Sequence, residues 1–423
     1  MKLRYITVIL LILSITYIGY TFQPSSIPYI DTFIAEDVVE EPDYSIEISD
    51  FLESYKTYFS QKFEEYGSVG GALAIVYKGQ VVVLKPYGVK KVNTTDSVDV
   101  NTVFRLASVS KGFAGVLSSQ LHHKKIINLD TTVVSYLPDL QLKKKENQQT
   151  VTVEHLLSHT SGLVSYSFDP YIEDGVSFSN VYKSLKIANI CSKPGELYAY
   201  QNVMFSLVDT IMHKQTGKTY ETLLKENIFN PLGMIDASVT YQGFTQSHNY
   251  AYPHKGWKKH VRTVQLNDRY YETKPAAGIN ASITDMSKWL QALLGYAPEV
   301  IDSTVLQDIQ TARIPIRSKY KYAGGLWKGV DSKEYSLGWR IFTMHNSKVL
   351  YHGGFVEGYR AEIAFCPEKQ IGIVVLLNSA NSLAMEAIPT FLHSFFDYSP
   401  KIPQVISVLQ AQNHVKGLNP SQM

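Results

Sequence analysis

The stretch Phe104-Arg105-Leu106-Ala107-Ser108-Val109-Ser110-Lys111-Gly112-Phe113 decides how the rest of the chain is read. It sets a hydroxyl and an amine three residues apart, where an apolar helical pattern begins and runs to about His122. Positions i and i+3 share one face of a helix, so Lys111 can reach the Ser108 hydroxyl. A serine hydroxyl is a weak nucleophile until a neighbouring base takes its proton, and a buried amine can serve. Ser108 is also a good helix N-cap, and the two roles agree, because a helix N-terminus favours developing negative charge. Lys111, with an ordinary pKa near ~10.4, must be desolvated or set beside another cation to act as a base. Its bland alternative is a solvated surface lysine. Ser110 lies on another face and reads as structural.

Two further motifs follow in order. Tyr200-Gln201-Asn202 closes the run Pro194-Gly195-Glu196-Leu197-Tyr198-Ala199-Tyr200-Gln201-Asn202, and His352-Gly353-Gly354 lies within Tyr351-His352-Gly353-Gly354-Phe355-Val356-Glu357-Gly358-Tyr359. The set Ser-x-x-Lys, Tyr-x-Asn, His-x-Gly resembles the three motifs of class C β-lactamases and the related serine DD-peptidases, esterases and D-aminopeptidases. The class A set differs in its later members, Ser-Asp-Asn and Lys-Thr-Gly. The resemblance extends to His155-Leu156-Leu157-Ser158-His159-Thr160-Ser161-Gly162-Leu163, Pro231-Leu232-Gly233-Met234, Ala276-Ala277-Gly278, Leu337-Gly338-Trp339 and Gly372-Ile373-Val374-Val375-Leu376-Leu377-Asn378. It spans about residues 50 to 395.

Carried over residue by residue, the resemblance makes Ser108 the nucleophile and Lys111 its base or proton relay. Tyr200 becomes the partner base that passes a proton to the leaving group and helps activate the deacylating water. Because the chain holds 29 tyrosines, a lone Tyr-x-Asn would carry little weight outside this register. Lys111 and a charged His352 on either side of Tyr200 would favour its phenolate. Asn202 would bind the substrate's amide, with a loop-capping role as its rival. Gly353 and Gly354 would lie on the strand forming the far cleft wall, where a missing side chain lets a substrate backbone approach. The backbone N–H groups of Phe355 and Ser108 would form an oxyanion hole, where one donor is worth about 3–4 kcal/mol in the transition state. His155 and His159 read as structural members of the His-Thr-Ser-Gly turn.

Where class C β-lactamases commonly carry Lys-Thr-Gly, this chain has His-Gly-Gly. A histidine is only partly charged near neutrality, and the lost hydroxyl removes a ligand for a substrate carboxylate. Both changes weaken the case for an efficient β-lactamase and suit peptidases or esterases. A charged His352 contacting a substrate carboxylate would make carboxylated substrates lose activity as it deprotonates.

The fold expected is α+β: an antiparallel sheet flanked by helices, with an inserted mainly helical lobe at about 125–270. Residues 44–66 carry helical periodicity and should lie on the sheet; 69–92 read as a hairpin split by Lys78-Gly79-Gln80. Strands return at 335–343, 348–353, 359–366 and 371–378, and an amphipathic helix covers about 382–396. The hydrolase unit is placed at 46–398 and a polar tail at 399–423.

Composition bounds the rest. With 423 residues, 45% apolar and 18% charged, the chain can bury a large core. A formal net charge of +2 gives no electrostatic case for nucleic acid, and the runs Lys143-Lys144-Lys145 and Lys258-Lys259 read as solvated loops. There is no phosphate-loop motif, Cys-x-x-Cys or His-Glu-x-x-His, and the resemblance implies no metal or organic cofactor. Lys2 and Arg4 precede the apolar run from Ile6 to about Phe22, an export pattern without an Ala-x-Ala-like cleavage site. Residues 1–22 are expected to act as a retained signal anchor or a cleaved signal peptide, 23–45 as an extended linker, and the hydrolase unit lies outside the membrane. Cys191 and Cys366 could pair in an exported protein; two separately buried thiols are the simpler expectation. The leading reading is a serine hydrolase using an acyl-enzyme on a D-amino-acid peptide, a β-lactam or a small ester. An anchored penicillin-recognition sensor and a silent scaffold are its rivals. The oligomeric state is left open.

Overall fold

The computed structural model describes residues 43–317 and 326–398. The chain opens with α1 (Ser49–Glu65), then the hairpin β1 (Gly70–Tyr77) and β2 (Gln80–Gly88). Helix α2 (Ser110–His123) follows a 3₁₀ turn at Ala107–Val109, and a run of short helices leads to α3 (Asn202–Thr216) and α4 (Ile283–Leu293). The chain then returns to strands β3 (Ile314–Pro315), β4 (Ser332–Tyr335), β5 (Arg340–Met344), β6 (Ser347–Val356), β7 (Tyr359–Cys366) and β8 (Ile371–Leu377), and ends in α5 (Ser382–Phe396). These strands form one antiparallel sheet in the order β2-β1-β8-β7-β6-β5-β4-β3. The sheet is thus antiparallel with a helical insertion, the α+β class read from the sequence.

Side chains alternate across each strand, and both faces of the sheet are covered. On one face Ala72, Ala74, Val76, Ile363, Phe365, Val374 and Leu376 pack against α2, α4 and the helical lobe. On the other, Leu73, Ile75, Ile371, Ile373, Val375 and Leu377 meet Phe51, Leu52, Tyr55, Phe59 and Phe63 of α1 and Leu383, Ala387, Ile388 and Phe391 of α5. Period-3.6 spacing puts the five α1 residues on one stripe, so the helix forms by burying that stripe. The Tyr55 hydroxyl donates to the Ala387 carbonyl at 2.9 Å, which ties α1 to α5.

Helix α2 is buried nearly throughout and has no solvated face for charged residues. Phe113 stacks on Trp289 of α4 with ring centroids 4.0 Å apart. A side chain at Gly112 would run into the Trp339 ring, and one at Gly115 into the Leu337 carbonyl. The tetrapeptide Ser336-Leu337-Gly338-Trp339 therefore presses directly on α2. This splits the single strand expected at 335–343 into β4 and β5. Gly338 has φ +78°, a left-handed turn that glycine adopts without steric cost, and a Cβ there would run into the Lys111 carbonyl.

Cys366 is buried and Cys191 is exposed, and both thiols are free, so burial of Cys191 is not observed. Among the described residues no helix is long and apolar enough to cross a membrane. The apolar N-terminal segment and the polar tail lie outside the described residues.

Candidate active site

Ser108 sits in the 3₁₀ turn that leads into α2, directly after Ala107, whose φ is +48°. A left-handed non-glycine residue costs roughly 1–2 kcal/mol, a strain that surrounding packing must hold in place. Here the packing is the strand wall. A Cβ on Gly354 of β6 would press on the Leu106 carbonyl and stand 3.0 Å from the Ser108 nitrogen.

Ser108 Oγ accepts a hydrogen bond from the Tyr200 hydroxyl at 2.9 Å, and Lys111 Nζ lies 3.3 Å from it. Nζ is also bonded to Asn202 Oδ1 at 2.7 Å and to the Ala276 carbonyl at 2.9 Å. Both of those oxygens can only accept. Burial holds the Lys111 ammonium well below the usual lysine range; Asp169 opposes the shift and Arg340 reinforces it. A neutral amine has two hydrogens and one lone pair. With the hydrogens on Asn202 and Ala276, the lone pair is left for the Ser108 hydroxyl.

Tyr200 is reached from a different element. Its segment is pinned by the His159 turn: Ala199 N donates to the His159 carbonyl at 2.8 Å, and Gln201 N donates to His159 Nδ1 at 3.1 Å. The two rings lie 4.3 Å apart. Asn202 then starts α3. The Ser110 hydroxyl accepts from the Ile279 nitrogen at 3.0 Å, and His155 completes a capping box with Thr152. Ser110, His155 and His159 are structural here.

Two expectations about charge need correction. Burial raises the Tyr200 pKa well above the ordinary phenol value, against opposing pulls from Arg340 and the Ser108 hydrogen bond. The resting tyrosine is a neutral donor, not a phenolate. His352 is fully buried, and burial, Arg340 and Lys111 all hold its pKa well below the ordinary value. Its Nδ1 lies 2.9 Å from the Gly353 carbonyl and must donate to it, so Nε2 accepts from the Tyr335 hydroxyl at 3.2 Å. Neutral His352 is satisfied inside the wall and does not line the cleft as a cation.

The cleft is lined instead by two guanidiniums, Arg360 and Arg340; Arg340, the first residue of β5, has its guanidinium carbon 5.6 Å from the Tyr200 ring centre. The cleft has a volume of about 310 Å³ and includes Ser108, Tyr200, Asn202, Gly353 and Phe355. Gly353 leaves room behind it for the buried Glu362 carboxylate, which accepts from the Tyr351 hydroxyl at 2.7 Å and is pushed up to about 7 by burial. Phe355 is 53% exposed at the rim, under the Arg360 guanidinium.

Sequence reasoning missed Asp169, Glu173, Arg340 and Arg360, all of which line the cleft. Asp169 Oδ2 accepts from Asn202 Nδ2 at 2.6 Å. An Arg after Gly-Trp and an Asp before Pro carry no local mark of a site. Among the described residues no group of His, Cys, Asp or Glu is arranged to hold a metal ion.

An antiparallel sheet with a helical insertion and a Ser-x-x-Lys pair at the head of its buried helix define the serine β-lactamase and penicillin-binding-protein class of fold. The chain belongs to the beta-lactamase family, whose sequence pattern matches residues 56–392. It is 25% identical to Protein flp of Staphylococcus aureus (strain COL) over 73% of this chain, and spans 59% of that protein's length. It is 27% identical to a beta-lactamase of Yersinia enterocolitica, over 74% of this chain and 83% of that protein. The octameric penicillin-binding protein homologue from Pyrococcus abyssi superposes with a TM-score of 0.70 at 24% identity, covering 81% of this chain and 77% of that one. The D-alanine carboxypeptidase AmpC from Burkholderia cenocepacia superposes with a TM-score of 0.65 at 20% identity, covering 82% and 99%.

Proposed function

We propose that this protein is a serine hydrolase that cleaves amide or ester bonds through an acyl-enzyme on Ser108. One observation carries the reading: Ser108 Oγ lies between a donor hydroxyl, Tyr200, and an amine whose hydrogens are taken elsewhere. The Ser108 proton passes to Lys111 Nζ as Oγ attacks the substrate carbonyl carbon. The new oxyanion falls to the backbone N–H groups of Ser108 and Phe355. As the C–X bond breaks, the Tyr200 hydroxyl gives its proton to the leaving group, and the Lys111 ammonium, 4.7 Å from the ring centre, returns one to Tyr200. Water then releases the acyl group by the reverse relay.

The acyl donor is a D-amino-acid peptide or a small ester ahead of a β-lactam. The support is His352-Gly353-Gly354, which offers neither a cleft-facing ammonium nor a threonine hydroxyl. The basic-then-apolar N-terminus supports an exported enzyme.

Labelling the full chain with a fluorophosphonate, alongside Ser108→Ala, tests the nucleophile. One adduct on Ser108, absent in the variant, with steady turnover of an aryl ester, is expected. A single burst followed by arrest would replace the hydrolase with a sensor that acylates and stalls. No adduct on folded protein would remove the nucleophile altogether.

A further inference from the structure

We infer that the cleft takes acyl donors bearing a protonated amine, and that Asp169 is the residue that reads it; this rests on the serine-hydrolase reading above. Asp169 opens the short helix Asp169–Glu173, and Phe168 before it turns the chain through a left-handed φ of +67°. That turn brings the carboxylate to the cleft wall, where it is 7% exposed. One oxygen, Oδ2, accepts from Asn202; the other, Oδ1, is buried without a hydrogen-bond partner. A carboxylate oxygen can only accept, so a buried one facing a cleft calls for a donor from outside.

No neighbouring lysine supplies it. Lys111 is separated from Asp169 by Asn202, and its hydrogens go to Asn202 and Ala276. One helical turn on, Glu173 lines the same cleft and is fixed by the Tyr270 hydroxyl, which donates to its Oε1 at 2.6 Å. Positive charge comes from the strand side, from Arg340 and Arg360. The cleft is therefore polarised, with carboxylates on the helical lobe and guanidiniums on the sheet. A compact ammonium with three donors suits the single unpaired oxygen of Asp169. Two carboxylates fall short of the six or more oxygens a calcium ion takes. The substrates favoured are amino-acid esters, amides and peptides with an unblocked amine, over their N-acylated counterparts.

The test compares the phenyl esters of alanine and isobutyric acid, in which a methyl group replaces the ammonium, with rates corrected for spontaneous hydrolysis. The readout is the ratio of the two kcat/KM values in wild type and in Asp169→Asn, whatever loss both substrates share through Asn202. The ratio is expected to fall by about tenfold or more in the variant. Glu173→Gln, an exposed position, should lower it by about threefold and serves if Asp169→Asn does not fold. An unchanged ratio in the folded variants overturns the inference and makes Asp169 a support for Asn202 alone. If wild type hydrolyses the isobutyrate ester and takes fluorophosphonate without this dependence, only the inference fails. If it does neither, the hydrolase reading fails and takes the inference with it.

Discussion

At Lys111 the ammonium has lost its water and gained no carboxylate partner in contact, so the neutral amine is favoured far below the ordinary lysine pKa near ~10.4. A base must be unprotonated to work. The kcat/KM for a neutral ester should therefore rise with pH through this lowered pKa and level off, and Lys111→Arg, which cannot deprotonate, should lose about 10²–10⁴-fold. A rising limb only in the ordinary lysine range would refute the assignment. Stability carries the same signature. Between the lowered folded pKa and the unfolded value near ~10.4, the unfolded chain holds the extra proton, so wild-type stability rises with pH across that window. Compared with Lys111→Met, the wild-type melting temperature should gain as the pH is raised from neutrality. At His352 the same desolvation removes the charge expected there. Activity profiles for carboxylated and neutral esters should run parallel from about pH 5.5 to about pH 8.5, and divergence would restore a cleft-facing imidazolium. Ser108 with Lys111, and Tyr200 with Asn202, were legible because a short motif fixes each pair. Asp169 and Arg340 were not, since only the fold brings them to the cleft. The charge of His352 was misread because a sequence shows a titratable ring and not the Tyr335 hydroxyl and Gly353 carbonyl that enclose it.

At the scale of elements, the nucleophile depends on how closely β6 and the Ser336–Trp339 turn approach the head of α2. Gly354 has an ordinary backbone conformation, so alanine there meets no torsional strain, only the Leu106 carbonyl and the Ser108 nitrogen. Gly354→Ala should displace the turn carrying Ser108 and lower kcat/KM by about 10²-fold, because small misplacements of reacting groups are that costly. Normal labelling kinetics with fluorophosphonate in this variant would show that the wall does not set the geometry. Periodicity predicted the elements well where one face is apolar: α1, the β1–β2 hairpin and β6 to β8 fall close to their expected ranges. It failed at 335–343. The stretch from Tyr335 to Thr343 does not by itself show that the chain must turn at Gly338 against the Lys111 carbonyl, a contact set by α2 and not by the strand itself.

Across the whole molecule, one sheet separates two cores, and only one of them touches the chemistry. Ser108, Lys111 and Tyr200 are held by α2, α3, β6 and the helical lobe, all on the first face. The second face, closed by α1 and α5, holds Phe59 with 0% exposure among aromatic and aliphatic partners. Phe59→Ala should leave a cavity worth about 3–5 kcal/mol, a loss carried by stability alone if the sheet transmits no strain to the site. At roughly 2–4 °C per kcal/mol for domains of 150–250 residues, and less for a larger unit, the melting temperature should drop by about 5–10 °C. Active-site titration with fluorophosphonate gives the folded, competent fraction, so kcat/KM can be stated per competent molecule. That value should stay within about twofold of wild type, since distant sites with no shared partners act independently. Gly354→Ala should show the reverse pattern, a large loss of rate with a smaller loss of melting temperature. If Phe59→Ala instead lowers the rate per competent molecule tenfold or more, the strained Ala107 turn is held by the sheet as a whole, and the two cores act as one.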